Sequence, residues 1–288
     1  MKLIRSESII FYPITMNYID IKYPVSKFKN FILDLLFPIQ CLECGEEFEN
    51  LEPKKRWICE KCLKKIETRK EQVCPVCERL SEGGETHRKC REKTSLDGLW
   101  VAVDYKIASK AIHKFKFDFI KDISFPLSMI AIKSVLEVQE FTDFQDLLLA
   151  NFSQESGEDE IYTEKIKNKK AETILVPVPL HRKRYNWRGF NQAFLLAKYI
   201  ANKFKLPVYE NLIIRKKNTK SQTKIKSVKE RRKNIKGAFF CPPNNLVKNK
   251  NIIIVDDVCT TLATLDECAI ELKKAGAKKV WGLTVARR

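Results

Sequence analysis

Ile252-Ile-Ile-Val255 is a run of β-branched residues without a polar break, and it constrains the fold more than any other segment. It reads as a buried strand, since a half-exposed strand would alternate apolar and polar residues. Asp256 and Asp257 follow at its end, then the hydroxyls of Thr260, Thr261 and Thr264. A helix opens there, with Leu265, Cys268, Ala269 and Leu272 at i, i+3, i+4 and i+7 on one apolar face. Thr264 and Glu267 have the spacing of a capping box, and Gly276, after Lys273 and Lys274, reads as the helix stop. A strand, a loop and a helix N-terminus make an anion site, because free backbone N–H groups and the positive dipole end face the loop. Two acids beside that site suit the hydroxyls of a sugar, or a metal ion carried by a phosphate. The plainer reading is a buried strand with a polar turn.

Cysteine spacing carries a second signal. Cys41/Cys44, Cys59/Cys62 and Cys74/Cys77 are C-x-x-C pairs, and His87/Cys90 is a fourth pair with one imidazole. The intervals between pairs are 14, 11 and 9 residues. Two short-spaced pairs supply the four soft ligands of a tetrahedral zinc ion, so eight ligands predict two structural zinc ions. Sequential pairing joins Cys41, Cys44, Cys59 and Cys62, then Cys74, Cys77, His87 and Cys90. Cross-braced pairing is equally compatible with the spacing. Disulfides fit less well, since no secretory signal precedes them. Cys268 belongs to the apolar helix face, and Cys259 falls inside the loop, where exposure is expected.

The chain has 288 residues, enough for a large domain and a small one. Its net charge of +18 suits polyanionic partners such as nucleic acid or phosphorylated substrates. The charge is unevenly spread: Ile213 to Lys236 holds eleven Lys or Arg and one acid, Glu230, whereas Glu137 to Glu164 holds nine acids and no base. No apolar run approaches a membrane span, and the absence of export signals with zinc-type cysteines predicts a cytoplasmic protein. Neither G-x-x-x-x-G-K-[ST] nor G-x-G-x-x-G occurs, which disfavours P-loop nucleotide hydrolysis and dinucleotide-dependent redox chemistry.

Strands are expected at 98–105, 173–179, 252–255 and 280–285, and helices at 28–37, 108–117, 125–138 and 193–204. The alternation implies an α/β fold, a mostly parallel sheet with helices on both faces. The domain plan is an N-terminal extension with a short helix (1–37, with Met16 a second candidate start), ribbons at 38–95, and an α/β domain at 96–288. An acidic insertion near 137–164 would be a mobile loop around 154–160. Ligands in such sheets bind beyond the carboxyl ends of the strands, which is where Asp256 and the residues after Val178 would sit.

Val255-Asp256-Asp257-Val258-Cys259-Thr260-Thr261 resembles the phosphoribosyl-pyrophosphate (PRPP) loop of type I phosphoribosyltransferases. That resemblance implies that Asp256 and Asp257 hold the ribose hydroxyls. It also implies that Thr260, Thr261, Leu262, Ala263 and Thr264 cradle the 5′-phosphate, with magnesium bound alongside PRPP. The family pattern has glycine where this chain has Leu262, so leucine is expected to add bulk beside the phosphate and weaken binding. Together with Leu180-His181-Arg182, Arg188-Gly-Phe-Asn191-Gln192, Gln222, Arg231 and the zinc pairs, the loop resembles the ComF family of predicted phosphoribosyltransferases. From that likeness, Leu180, His181 and Arg182 would face pyrophosphate, and the segment from Gln222 to Asn234 would close over PRPP. Arg188, Asn191 and Gln192 match a motif of unassigned role; helix capping and surface solvation are the bland alternative for Arg188 and Asn191. The family's double zinc ribbon favours sequential ligand pairing, and its link to DNA uptake implies single-stranded DNA or DNA-uptake proteins as partners. The likeness thus implies either a transferase or a non-catalytic, nucleic-acid-associated module that reuses the fold as a ligand sensor or scaffold.

Overall fold

The computed structural model describes residues 39–48, 57–138, 142–149, 172–219, 227–243 and 245–288. The helix expected at 28–37, the loop around 154–160 and Gln222 lie outside the described residues. In chain order the elements are α1 (Glu60–Lys65), β1 (Gly98–Asp104), α2 (Tyr105–Phe117), α3 (Ser124–Leu136), α4 (Asp143–Leu149), β2 (Thr173–Pro177) and α5 (Arg182–Arg188). They continue with α6 (Gln192–Phe204), β3 (Ile214–Arg215), α7 (Val228–Ile235), β4 (Phe239–Phe240), β5 (Asn251–Cys259), α8 (Ala263–Lys274) and β6 (Lys279–Arg287). Every long element of the α/β reading is present, with ends shifted by a few residues. The β3–β4 pair, a small antiparallel sheet, was not foreseen.

The main sheet has the order β1-β6-β5-β2, and all of its pairs are parallel. β5 is therefore central and buried on both faces, as its unbroken apolar run requires. The pleat sends alternate residues to opposite sides. Ile253 and Val255 enter one core with Phe115, Leu127, Ile130, Leu196 and Ile200 from α2, α3 and α6. Ile252 and Ile254 enter the other with Leu265, Cys268 and Leu272 of α8, the apolar face read from the sequence. Gly276 has φ 92°, and the Gly276 and Ala277 amides donate to Lys273 and Leu272 carbonyls, which closes α8 in a Schellman motif.

Both sheet edges are covered. The Gln72 side chain donates to Val101 O and accepts from Val101 N–H, and Arg69 N–H donates to Ala102 O, so the ribbon segment satisfies the free edge of β1. On the β2 edge, Leu175 exchanges backbone bonds with Pro207 and Tyr209. Part of the acidic stretch is core rather than loop: Phe144 of α4 stacks on Trp100 at 5.0 Å and meets Trp281 at 5.3 Å. Trp100 in turn donates to Ser134 Oγ at 3.0 Å. Ile39–Arg288 clusters as a single unit, ribbons included.

Gly98 is required by this packing, since a β-carbon there would lie 2.2 Å from the Trp281 ring. Gly98→Ala is expected to cost about 1–3 kcal/mol through overpacking. Denaturant unfolding checks this; an unchanged midpoint would mean that the Trp281 ring can shift.

Candidate active site and zinc centres

The four sulfurs of Cys41, Cys44, Cys59 and Cys62 lie within 4.8 Å of one another, as do the ligand atoms of Cys74, Cys77, His87 and Cys90. The grouping is sequential, not cross-braced. A tetrahedral zinc ion with bonds of about 2.3 Å spaces its sulfurs about 3.8 Å apart, and Cys44 and Cys59 Sγ are separated by 3.8 Å. Backbone N–H groups of Cys59 and His87 donate to the sulfurs of Cys41 and Cys74, which favours thiolate. His87 Nδ1 lies 3.2 Å from Cys77 Sγ, and Nε2 lies 3.0 Å from Leu80 O. With Nε2–H donating to that carbonyl, Nδ1 is left for metal. Both donor sets fit structural zinc.

At the carboxyl end of β5, Asp257 is buried and pairs with Lys116 of α2, Nζ to Oδ2 2.7 Å. Asp256 projects to the opposite face, and one of its oxygens accepts the Asp257 N–H at 2.9 Å. Burial and the adjacent Asp257 carboxylate push the Asp256 pKa well above the ordinary range, with Lys116 opposing.

The chain then turns into α8 through Leu262, whose φ is 63°. Its backbone already adopts the left-handed conformation that glycine favours, and its side chain is buried in the same core cluster as Cys259, Ala263 and Leu265. Thr264 is not the cap: Leu262 holds the cap position with no side-chain bond, and Glu267 accepts the Gly237 N–H at 3.0 Å instead of closing a capping box. Cys259, expected to be exposed, is buried, and burial lifts its pKa to about 11.

The second strand end supplies cations. His181 caps α5 by accepting the Lys183 N–H, Leu180 is half-buried, and Arg182 is exposed. Arg184 and Arg188 are the half-buried members of α5, and burial lowers both pKa values. Both aspartates act electrostatically on Arg188. Arg188 Nη1 donates to Gln192 Oε1. Asn191 caps α6 through Ala193 N–H and donates to Val178 O, tying α6 to the end of β2. Capping thus accounts for Asn191, whereas Arg188 is not a solvated surface group. Sequence reading missed Lys116 and Arg215. Arg215, its pKa lowered to about 10 by burial and then by Arg184, shares Thr219 with Arg184. Nε of both Arg188 and Arg215 is buried without a hydrogen-bond partner among the described residues. Guanidinium groups held this way suit an incoming polyanion. Arg231 lies on α7, which packs against α8. Hard carboxylate oxygens at Asp256 and Asp257 fit magnesium.

A double zinc ribbon family model matches residues 32–91, and a phosphoribosyl transferase model matches 191–288. Competence protein F of Haemophilus influenzae is 38% identical over 120 residues, which is 41% of this chain and 52%, about half, of that protein. Competence protein ComFC of Bacillus subtilis is 27% identical over 82% of this chain and 91% of its own length. The DNA utilization protein YhgH of Escherichia coli K12 is 27% identical over 78% of this chain and 89% of its own.

Two outcomes follow from this geometry. Leu262→Gly removes a buried leucine, at about 2–5 kcal/mol for the comparable change to alanine, and relieves about 1–2 kcal/mol of left-handed backbone. The variant should be less stable than the parent with unchanged affinity for a phosphate ligand; tighter binding in a titration would restore the idea of steric interference. Asp256 binds its proton more tightly folded than unfolded. Its contribution therefore falls as pH rises above the unfolded value of 3.8. Asp256→Asn should raise the melting temperature at neutral pH and flatten that decline relative to wild type, zinc ligands being common to both. Parallel pH profiles would contradict it.

Proposed function

We propose, for a chain that belongs to the ComF family, that the carboxyl edge of β5 binds Mg–PRPP and transfers its phosphoribosyl group to a nitrogen acceptor. One observation carries the reading: two adjacent carboxylates precede a helix N-terminus, and both act electrostatically on Arg188, a half-buried guanidinium whose Nε has no hydrogen-bond partner among the described residues. Asp256 and Asp257 would orient the ribose hydroxyls. Backbone N–H groups from Thr260 to Thr264, at the positive end of α8, would hold the 5′-phosphate. In the reaction the C1–oxygen bond to pyrophosphate breaks, a C1–nitrogen bond forms, and the acceptor nitrogen gives up its proton. Negative charge then grows on the departing pyrophosphate, where Arg184, Arg188 and Arg215 would stabilise it without reorganising. Magnesium arriving with PRPP supplies further neutralisation, and the aspartates are the residues that would hold it.

Thermal shift and calorimetry with Mg–PRPP are expected to show binding by wild type and loss of at least tenfold in affinity when Asp256 and Asp257 are both changed to Asn. Equal binding by the variant would move the site elsewhere. Pyrophosphate release on adding candidate nitrogen bases separates enzyme from sensor.

A second reading, single-stranded DNA binding, is favoured by a surface at α5. Tyr185 and Trp187 are 46% and 60% exposed among Arg182, Lys183 and Arg184, and Phe119 meets Trp187 edge-on at 4.7 Å. Aromatic faces amid cations stack bases at about 1–3 kcal/mol each. Changing Tyr185 and Trp187 together to Ala should weaken binding of a labelled oligothymidylate by roughly tenfold or more. Unchanged anisotropy curves would exclude this surface. No helix among the described residues is long and apolar enough to cross a membrane.

A further inference from the structure

The two zinc ribbons are attached to the α/β sheet in different places. The first is held from α3: Lys133 Nζ donates to the carbonyls of Leu63, Lys64 and Ile66, at the C-terminus of α1. That contact is remote from the β5–α8 loop in the chain and joins a different helix.

The second ribbon reaches the loop at both of its ends. At one end, Arg287 Nη2 donates to Pro75 O at 3.1 Å and to the Glu78 carboxylate, both on the turn that carries Cys74 and Cys77. Arg287 is the register partner of Cys259, the last residue of β5, and Arg288 N–H donates to Cys259 O at 3.0 Å. At the other end, the 3-10 turn Arg88–Lys93, which carries Cys90, leads to Thr94 and Ser95. Thr94 Oγ1 donates to Asp266 Oδ1 at 2.7 Å, and Ser95 N–H donates to the same oxygen at 2.8 Å. Asp266 stands in the first turn of α8, and its own N–H donates to Leu262 O at 2.9 Å. One half of the metal-ligand set therefore holds Arg287, which is in register with the end of β5, and the other half holds the first turn of α8, on either side of a loop only a few residues long. A zinc ion at Cys74, Cys77, His87 and Cys90 would fix the separation of those halves.

We propose that the second ribbon braces the phosphate loop, with Asp266 and Arg287 as positioning residues, so that metal in that ribbon and PRPP at the loop stabilise one another. The part concerning PRPP rests on the functional reading above; the brace itself does not. Linkage requires reciprocity: if metal orders the loop for PRPP, PRPP must retain the metal by the same factor. The coupling runs through the hydrogen-bonded contacts named here, a physical path and not an association of distant positions.

The test uses the full-length, zinc-loaded protein. Hydrogen exchange of a peptide spanning 257–267 reports loop order. Cys77→Ser, which breaks the second centre, should raise exchange of that peptide at least several-fold, while Cys44→Ser, which breaks the first, leaves it near wild type. Asp266→Ala and Arg287→Met keep all eight ligands and should loosen the same peptide with two zinc ions still bound. Asp266→Asn, which keeps an acceptor oxygen, should restore the protection. In an equilibrium chelator competition, Mg–PRPP should raise the affinity for one zinc of the two in wild type and in Asp266→Asn, and for neither in Asp266→Ala. Equal loop exchange in Cys77→Ser and Cys44→Ser would overturn the brace. PRPP that protects the loop yet leaves both zinc affinities unchanged would overturn the mutual stabilisation. Loss of loop order in Cys77→Ser without any PRPP effect in wild type would support the brace and reject the PRPP reading, so the two failures are told apart.

Discussion

The Lys116–Asp257 ion pair is the interaction on which the site depends. Asp257 lies at the end of a strand with apolar cores on both sides, where an unpaired carboxylate would be expelled or protonated. Lys116 reaches it from α2 and pairs with it at 2.7 Å, and the same ammonium opposes the upward shift of Asp256. Two neighbouring acids can then persist on a central strand. The folded state still bears a penalty, because Asp256 remains in an environment that disfavours its charge. Arg188 feels both carboxylates, while Arg184 and Arg215 repel one another across the same space. Like charges gathered at the strand ends are costly for the protein alone, and on the proposed reading a ligand that carries both phosphate and metal would offset that cost.

Much of this was legible in the sequence, for identifiable reasons. The β5–α8 unit was readable because its signals are local: an unbroken apolar run, then an i, i+3, i+4, i+7 face, then glycine. The zinc centres were readable because pairs with two residues between them carry their own geometry, and the sequential grouping of Cys74, Cys77, His87 and Cys90 is the one that the family resemblance favoured. Lys116 and Arg215 were not readable. Each looks like one more cation on a basic chain, and only the packing of α2 and β3 around the strand ends shows that they turn inward. Arg184 was visible in its motif, but its partnership with Thr219 crosses to another part of the chain.

The capping box misread α8 for a related reason. Thr264 and Glu267 had the right spacing, yet the helix begins one residue before Thr264, and Glu267 is taken by a long-range bond to Gly237. A local motif lost to a tertiary contact that fixes the turn between α7 and β4 against α8. The acidic stretch shows the converse. Its charge suggested solvent, but Phe144, Leu147 and Leu148 alternate with the acids closely enough to form a helix that seals the two tryptophans.

Leu262 shows how a leucine at a left-handed turn can be accommodated by direction and not by size. A glycine at a left-handed turn is favoured because it carries no β-carbon, and the penalty for another residue is on the order of 1–2 kcal/mol. A side chain at such a position leaves the loop on one side only. Here that side is the core under α8, and burying leucine there returns about as much as, or more than, the backbone strain takes away. On the proposed reading, the surface that would face a phosphate is made of N–H groups, whose directions depend on φ and ψ and not on what lies behind them. A loop that must hold those angles without glycine gains from external ties, and the contacts at Cys259 and Asp266 are such ties. The leucine and the second zinc ribbon can therefore be understood as parts of one solution to keeping the turn between β5 and α8 in shape.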